Sequence, residues 1–341
     1  MIKWIFKYGV VIFLINTILL SISSTKALGN QAFLVLMCLY GLIILINPKQ
    51  IRKIIFHKAF SFLLIINSLN LSYFLLFHSF SDFAAVKYML ARGMQFSIIC
   101  FSVYYNLEYY KNKFLVHLAY IIFAVIIISL FYNPNIFLGR YSGIIWNPNA
   151  LASFSILGFS SLFLLEKNKT NFDYLLLFIF LIISFSTGSR GVLVGISLAF
   201  IFKYGFSIRN ILYVVFAITT FLVIITMQLD TSINRFADQS LFNDRLLQYH
   251  YAYETLLQKP FFGFGLDKYS FINMDLTNED LNGSHNGYLA ILVQYGFVFG
   301  LFVLGIIFRK LFSFFNKYSF NNSENKFYIY LVFYTLFAAV Y

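Results

Sequence analysis

The sequence predicts an all-α polytopic membrane protein. Of its 341 residues, 60% are hydrophobic, 21% are aromatic and only 11% are charged, which lies outside the range of soluble domains. Apolar runs recur at lengths near the roughly 20 residues that a helix needs to cross a bilayer. One long polar stretch, residues 229–284, interrupts this pattern. These features predict a single transmembrane domain over residues 1–341 that contains one large loop.

Eleven apolar runs qualify as membrane spans. The chain ends inside the last of them, which leaves room for a twelfth span. The seventh and eighth runs are short and nearly continuous, and they meet at Gly188-Ser189-Arg190-Gly191. The runs cover residues 4–22, 28–46, 59–77, 84–106, 114–131, 148–165, 173–187, 191–208, 210–228, 286–308 and 327–341.

The basic residues favour one orientation of these spans. If the N-terminus lies in the cytoplasm, 16 of the 25 lysines and arginines fall in the inside segments, as the positive-inside rule requires. The net charge of +12 has the same origin, because the basic residues are spread over short loops and do not form a nucleic-acid-binding face. This orientation makes the loop 229–284 extracytoplasmic, and it places Arg140 and Arg190 on the outer side.

The outer loop contains the pattern of an amphipathic helix. Arg245 is followed by aromatic and apolar residues at helical spacing, and the pattern ends before Pro260. We expect this helix to lie along the outer membrane surface and a tight turn to follow it. Gly263-x-Gly265 in that turn is a very weak phosphate-loop signal, because the strand and lysine of a P-loop are missing. The helical positions are Tyr249, Tyr253, Leu256 and Leu257.

Two arginines on the outer side run against the positive-inside rule. Arg140 precedes Asn147-Pro148-Asn149, in which Asn147 suits a helix N-cap and Pro148 the first helical turn. Arg190 lies between two thin apolar segments, where an arginine is costly and indicates a functional site. The alternative interpretations are a plain loop before a helix for the first arginine, and a structural arginine that reaches the surface for the second.

The polar loop ends at His285, where the chain re-enters the membrane. A lone histidine is more often a satisfied polar residue than a catalyst. At the mouth of an outer cavity, however, His285 could accept a proton from a hydroxyl group. Arginines match the fork geometry of phosphates, although Arg245 could instead pair with Asp244 or Glu254. A lipid-diphosphate sugar donor and a hydroxyl acceptor would use this set of residues.

These residues, in this order, resemble the O-antigen ligase/polymerase family of bacterial membrane proteins, which includes the Wzy-type polysaccharide polymerases. The resemblance covers roughly residues 135–305 and rests on four short motifs. They are Gly139-Arg140 to Asn149, Ser189-Arg190-Gly191, Arg245 with Pro260-x-x-Gly263-x-Gly265, and Ser284-His285-Asn286-Gly287-Tyr288-Leu289 followed by Gly296.

The resemblance implies a GT-C-like fold and a glycosyltransferase that needs neither metal nor cofactor. Its substrate would be an undecaprenyl-diphosphate-linked oligosaccharide at the outer face of the bacterial cytoplasmic (inner) membrane. The resemblance further implies that Arg190 and Arg245 hold the diphosphate and that His285 assists the attacking hydroxyl. Three more residues are expected to contact the substrate: Arg140, Asn149 and Tyr249.

The acceptor separates two activities within the family. Polymerases extend a chain of repeat units on the lipid carrier for O-antigen, capsule or exopolysaccharide. Ligases move the finished glycan to lipid A core or to a protein. The richness in Phe, Ile, Tyr and Asn and the low density of motifs favour the polymerase, with the ligase as the alternative. A flippase and a chain-length regulator are the protein partners we expect.

A transporter of the same lipid-linked glycans is the second alternative. It would place ionisable residues at mid-membrane in several helices. Arg92 is the main candidate for such a charge in this sequence.

Overall fold

The computed structural model of the chain describes most of it. The described residues are 2–21, 23–46, 48–57, 60–112, 114–132, 136–137, 140–143, 145, 147–165, 168–205, 207–215, 219, 240–266, 286–315 and 323–338.

The described part of the chain is mainly helical. A short antiparallel hairpin of β1 (Ile136–Phe137) and β2 (Arg140–Tyr141) lies between α7 and α8, where the sequence predicts a loop. The helices are α1 (Ile2–Ser21), α2 (Lys26–Ile46), α3 (Pro48–Ile55), α4 (Ser61–Phe77), α5 (Phe83–Tyr105), α6 (Leu107–Asn112), α7 (Phe114–Tyr132), α8 (Pro148–Leu165), α9 (Asn171–Ser186), α10 (Gly191–Tyr204), α11 (Ser240–Gln258), α12 (Gly287–Phe315) and α13 (Ser323–Ala338).

Helices lie at ten of the eleven predicted spans, most of them within four residues of the expected bounds. For the ninth span, 210–228, the described residues are helical over 208–215. Within the described residues, three segments are long and apolar enough to cross a membrane, namely Lys26–Ile43, Pro148–Leu165 and Gly287–Ser313, and four further apolar helices are shorter. The chain is thus a helical membrane protein, whereas the number of spans and their orientation stay predictions.

Two short helices, α3 and α6, occupy segments that the sequence analysis treated as inside loops. In α3, Pro48 takes the first helical position, where its missing N–H costs nothing. Ile51 and Ile54 are buried on one face, and the basic Arg52 and Lys53 are exposed. The segment is amphipathic, and apolar burial on one face is what stabilises so short a helix.

The buried apolar residues form three clusters. One joins α7, α8, α9, α10 and α13, and a second joins α1, α2, α3 and α5. The third joins α4, α5 and α12 with Leu266, which follows the turn after α11. Close approach of α8 to α9 depends on Gly158, because a Cβ there would overlap the ring of Phe180, and small residues commonly let membrane helices approach in this way.

Three contacts tie together segments that the predicted orientation places on the outer side. The α4–α5 turn contacts the segment after α11, the hairpin contacts the end of α9, and the start of α12 contacts the end of α13. The orientation requires such pairs to lie at one end of the bundle. The contacts are His78 Nε2 with Leu266 N, Arg140 Nε with Thr187 O, and Tyr288 Oη with Leu336 O.

Candidate functional site

Arg140 on β2 bridges three elements. Its side chain is buried, with 6% of its surface exposed. The Nε group donates a hydrogen bond of 2.6 Å to the carbonyl of Thr187 at the end of α9, and Nη2 donates one of 2.7 Å to Asn149 Oδ1 at the start of α8. The last carbonyls of a helix have no partner within it, so the guanidinium satisfies one of them. Arg140 therefore holds the start of α8 against the α9–α10 turn.

The start of α8 follows the sequence prediction. Pro148 is its first residue, and Asn147 Oδ1 accepts hydrogen bonds from the backbone N–H groups of Asn149 and Ala150 at 2.9 and 3.4 Å. The predicted cap is thus confirmed. It also orients Asn149, whose side-chain oxygen is the acceptor for Arg140.

The α9–α10 turn positions Arg190. Thr187 Oγ1 donates a hydrogen bond of 2.6 Å to the carbonyl of Ser184 and accepts one of 3.3 Å from Ser189 N–H. Gly188 adopts φ 60°, a left-handed conformation that glycine takes without strain. Arg190 is then the N-cap residue of α10, and its side chain is half-buried. The structure therefore brings the segment that carries Arg190 together with Arg140 and Asn149.

The remaining predicted residues lie elsewhere or outside the described part. Tyr249 is half-buried on α11, a helix that packs against α12. Arg245 belongs to the same helix, but its side chain lies outside the described ones. His285 is also outside the described residues. Asn286, directly after it, caps α12 by accepting hydrogen bonds from Tyr288 N–H at 3.0 Å and Leu289 N–H at 3.2 Å.

Helix α12 is broken at Gly296, and the turn after α11 fills the break. Gly296 has φ 69° and ψ −176°, so the residues on either side form two helical pieces. The turn spans residues 259–266, which we call the docking turn. Its Phe264 and Gly265 N–H groups donate to the carbonyls of Val293 and Gln294 at 2.9 and 3.0 Å. The broken helix thereby regains hydrogen-bond partners that hydrocarbon could not supply.

Hydrogen bonds also run from α12 to the docking turn. Phe297 N–H donates to the carbonyl of Pro260 at 2.7 Å, and Val298 N–H donates to that of Phe261 at 3.2 Å. The approach is so close that a Cβ at Gly263 would overlap the carbonyl of Gln294. Pro260-x-x-Gly263-x-Gly265 is therefore a structural motif, which agrees with the low weight given to the phosphate-loop interpretation.

His78 fastens the docking turn to the α4–α5 turn, a role that the sequence analysis missed. Its Nε2 accepts a hydrogen bond of 3.0 Å from Leu266 N–H, and its Nδ1 lies 2.8 Å from Asp82 Oδ2. Because a backbone N–H can only donate, Nε2 must be the acceptor, and Nδ1 carries the proton given to Asp82. The other oxygen of Asp82 caps α5 at Ala85 N–H, 3.2 Å away. The available signal was a histidine four residues before an aspartate at the end of a span.

A second missed feature is a cavity of about 830 Å³ between α4, α5 and α12. Arg92, which the sequence analysis considered only as evidence for transport, lies in its wall together with Lys87. Its wall also includes Gln294 and Tyr295, the two residues before the break in α12. The cavity therefore adjoins the docking turn and the helix that His285 precedes.

Comparison with known proteins gives one match. Residues 175–318 match the family model described as O-antigen ligase. The matched region begins within α9 and runs through the Arg190 turn, α11, the docking turn and all of α12. No curated protein and no solved structure matches the chain.

Proposed function

We propose that the chain is a bacterial surface-polysaccharide polymerase, because residues 175–318 match the family model of the O-antigen ligases. It joins saccharide repeat units carried on undecaprenyl diphosphate, at the outer face of the cytoplasmic membrane. The observation that carries this proposal is the match itself, since the matched region contains Arg190, Arg245 and His285 in one stretch of chain.

The proposed reaction is a glycosyl transfer between two lipid-linked saccharides. A hydroxyl oxygen of the acceptor sugar forms a bond with the anomeric carbon of the donor. The bond from that carbon to the diphosphate oxygen breaks, and the diphosphate leaves with the electron pair. The hydroxyl proton passes to His285, acting as general base. Guanidinium groups of Arg190 and Arg245 neutralise the leaving diphosphate.

The geometry around Arg190 supports an anion-binding role. Arg190 stands at the N-terminus of α10, where the unsatisfied N–H groups and the helix dipole favour negative charge. The bond from Arg140 to Thr187 O at 2.6 Å holds the turn in which Arg190 lies. In this proposal Arg140 and Asn149 are positioning residues, because Arg140 donates both to the Asn149 side chain and to the backbone carbonyl of Thr187.

Arg190 can be tested by comparing two arginines that flank α10. Arg190→Ala should abolish polymer formation while the protein still accumulates in the membrane. Arg209→Ala is the matched control, since Arg209 is exposed beyond the other end of α10 and stacks on Tyr213 with 6.0 Å between its Cζ and the ring centre. Arg190→Lys should also be poor, because an ammonium cannot make paired donor contacts. Normal polymer from Arg190→Ala would remove the arginine from the mechanism.

The ligase is the alternative, and the acceptor distinguishes it. Purified polymerase supplied only with lipid-linked repeat units should produce a ladder of longer lipid-linked products. A ligase would leave the repeat units unextended until lipid A core or an acceptor protein is added.

Transport is the second candidate, and the cavity favours it specifically. Polar residues from α4, α5 and α12 line this cavity, and its two basic residues, Lys87 and Arg92, are both on α5. Cations that face a cavity within the membrane are what a transporter would use, although here one helix and not several supplies them. A transporter would move lipid-linked repeat units across vesicle membranes and form no glycosidic bond. Product analysis by mass spectrometry after incubation with the purified protein separates the two functions.

A further inference from the structure

The cavity between α4, α5 and α12 changes character with depth. In the predicted orientation the outer ends are Phe77 of α4, Phe83 of α5 and Gly287 of α12. On α4 and α5 the polar wall residues lie nearer to these ends than the large apolar ones do, whereas on α12 Ala290 and Ile291 lie nearer to the outer end than Gln294 and Tyr295. The polar residues used here are Lys87, Arg92 and Gln95 on α5, Asn67 and Asn70 on α4, and Tyr295 on α12.

The deep part of the same wall is apolar. Lys87 is four residues, or about 6 Å, along α5 from Phe83, and Arg92 is nine residues, or about 14 Å. Ile99, at about 24 Å, lies at the far end. The apolar residues of the deep part are Leu63, Ile66, Phe96, Ile99 and Val303. A cavity that is polar towards one end and apolar towards the other suits an amphiphile.

The charge of the wall is positive. Lys87 and Arg92 both line the cavity, and none of its described wall residues is a carboxylate. Arg92 is oriented by two neighbours: its Cζ lies 4.9 Å from the ring centre of Tyr88, and Nη1 donates a hydrogen bond of 2.9 Å to Gln95 Oε1. Both basic side chains are exposed and not buried within the protein, and cations at this level of a membrane domain are costly without a counter-charge. An anionic ligand would supply that charge.

The polar wall is built on buried hydrogen bonds. Tyr295 is buried, and its hydroxyl donates a bond of 2.7 Å to Asn70 Oδ1, linking α12 to α4. The Tyr88 and Tyr295 hydroxyls lie 3.4 Å apart, linking α12 to α5. These bonds hold the three helices in register around the cavity. Its volume of about 830 Å³ lies within the roughly 300–1,000 Å³ of ligand pockets.

We propose that this cavity binds the diphosphate of a second lipid-linked saccharide, the acceptor, whose own diphosphate bond stays intact. This inference rests on the proposed function, since only a polymerase must hold two lipid diphosphates at once. Each phosphate of a lipid-diphosphate sugar carries one negative charge, so Lys87 and Arg92 balance it. The apolar deep part takes the start of the polyprenyl chain. A single cluster of arginines would be a poor site for both substrates, because the two diphosphates repel each other.

The arrangement along the chain fits two substrates. Helix α12 contacts α4 beside the cavity, and it contacts α13, which packs against α8 and α10 of the Arg190 region. His285 precedes α12 by one residue, Asn286. The residue proposed as general base is therefore separated by a single residue in the sequence from the helix that lies between the two diphosphate sites.

The test counts bound lipid. Native mass spectrometry of the full-length purified protein, titrated with sugar-free undecaprenyl diphosphate, should show two lipids on the wild type. The double variant Lys87→Ala/Arg92→Ala should bind one, with the second site weakened by roughly 100-fold or more, since two hydrogen-bonded charges are lost. The matched control Lys53→Ala/Arg209→Ala removes the same charges from exposed positions that do not line the cavity and should still bind two.

Two further ligands distinguish binding of the diphosphate from binding of the lipid chain. Undecaprenol, which carries no diphosphate, should not occupy the charge-dependent site. Inorganic diphosphate should bind there more weakly than the lipid does, since it leaves the apolar deep part empty. Arg92→Lys keeps the charge and should retain most of the binding. If the double alanine variant fails to fold, the single variants Arg92→Lys and Arg92→Gln replace it. Lost binding in Arg92→Lys together with retained binding in Arg92→Gln would overturn the role of the charge.

Two results overturn the proposal: a cavity variant that still binds two lipids, and a wild type that binds only one lipid whose affinity the cavity variants do not change. Turnover of lipid-linked repeat units on the same preparations tests the proposed function separately. Charge-dependent binding of two lipids without turnover would retain the cavity site and refute the polymerase. A product ladder together with unchanged lipid binding in the cavity variants would retain the polymerase and refute the cavity site.

Discussion

Replacing Gly296 with alanine should destabilise the junction between the docking turn and α12. Gly296 has φ 69° and ψ −176°, a region that is almost confined to glycine and costs other residues about 1–3 kcal/mol. An alanine Cβ would also overlap the backbone of Phe261 and Phe262. Backbone atoms cannot rotate away as a side chain can, so the turn must shift as a unit.

The size of the effect follows from the hydrogen bonds at the junction. Four backbone bonds join the docking turn to α12, with lengths of 2.7–3.2 Å, and each contributes about 0.5–1.5 kcal/mol. If the shift breaks half of them, the loss is about 2 kcal/mol. Together with a backbone strain of about 2 kcal/mol, we expect the Gly296→Ala variant to lose about 4 kcal/mol of unfolding free energy.

Gly305→Ala is the matched control on the same helix. A Cβ at Gly305 meets no atom within 4 Å, and alanine is favoured over glycine in a helix by up to about 1 kcal/mol. Unfolding of both variants in mixed micelles would be followed by circular dichroism, and cleavage within residues 259–266 by limited proteolysis. Equal unfolding free energies for the two variants would refute the reasoning about the junction.

Three further outcomes follow from the same contacts. His78→Ala removes the acceptor for the docking turn and should cost about 2 kcal/mol, measured as faster proteolysis of the turn, whereas unchanged cleavage would make the contact incidental. Arg140→Ala should lower both the unfolding midpoint and the polymer yield. Arg140→Lys should not restore them, because an ammonium cannot replace a guanidinium that donates to Thr187 O and Asn149 Oδ1 at once. Full rescue by lysine would contradict this. His285→Ala should slow turnover of a lipid-linked repeat unit by about 10²–10⁴-fold, His285→Gln by less if the ring only positions the acceptor, and near-normal turnover of the alanine variant would exclude both roles.

The helices were the most predictable feature because a membrane helix satisfies its own backbone hydrogen bonds. Hydropathy along the chain therefore locates α7 (Phe114–Tyr132) and α8 (Pro148–Leu165) to within about a residue of the predicted bounds. The hairpin at Arg140 and the short helix α3 were not predicted. The strands of the hairpin are two residues long and α3 is eight residues long. Elements this short are determined more by packing against other elements than by their own sequence.

The candidate site was predictable residue by residue but not as a set of contacts. Sequence placed Arg140, Asn149 and Arg190 on the outer side, and the structure brings their segments together. The hydrogen-bond acceptor that links these segments is the backbone carbonyl of Thr187. Every residue has such a carbonyl, so the sequence does not show which one is used. For the same reason the contact between His78 and the backbone N–H of Leu266 could not be predicted, although the spacing of His78 and Asp82 could have drawn attention to this histidine.

For Arg92, the sequence identified the residue but not its surroundings. Its position in the middle of an apolar run marked it as an unusual charge, and the sequence analysis connected it only with transport. The interpretation changes because α12, some two hundred residues away in the chain, supplies Tyr295 and Gln294 to the same cavity wall. Which helices enclose a charge depends on tertiary packing, so the kind of ligand could not be inferred from α5 alone.

The junction at Gly296 and the proposed chemistry at His285 are connected through the first piece of α12. Asn286 caps this piece directly after His285. The docking turn holds its far end, and the bond from Tyr288 Oη to Leu336 O, 2.9 Å long, holds it against α13. A helical piece fixed at both ends keeps Asn286 and the start of α12 in place. A general base must lie within hydrogen-bonding reach of the proton it accepts, so a substitution at Gly296 should reduce turnover although that residue contacts no substrate.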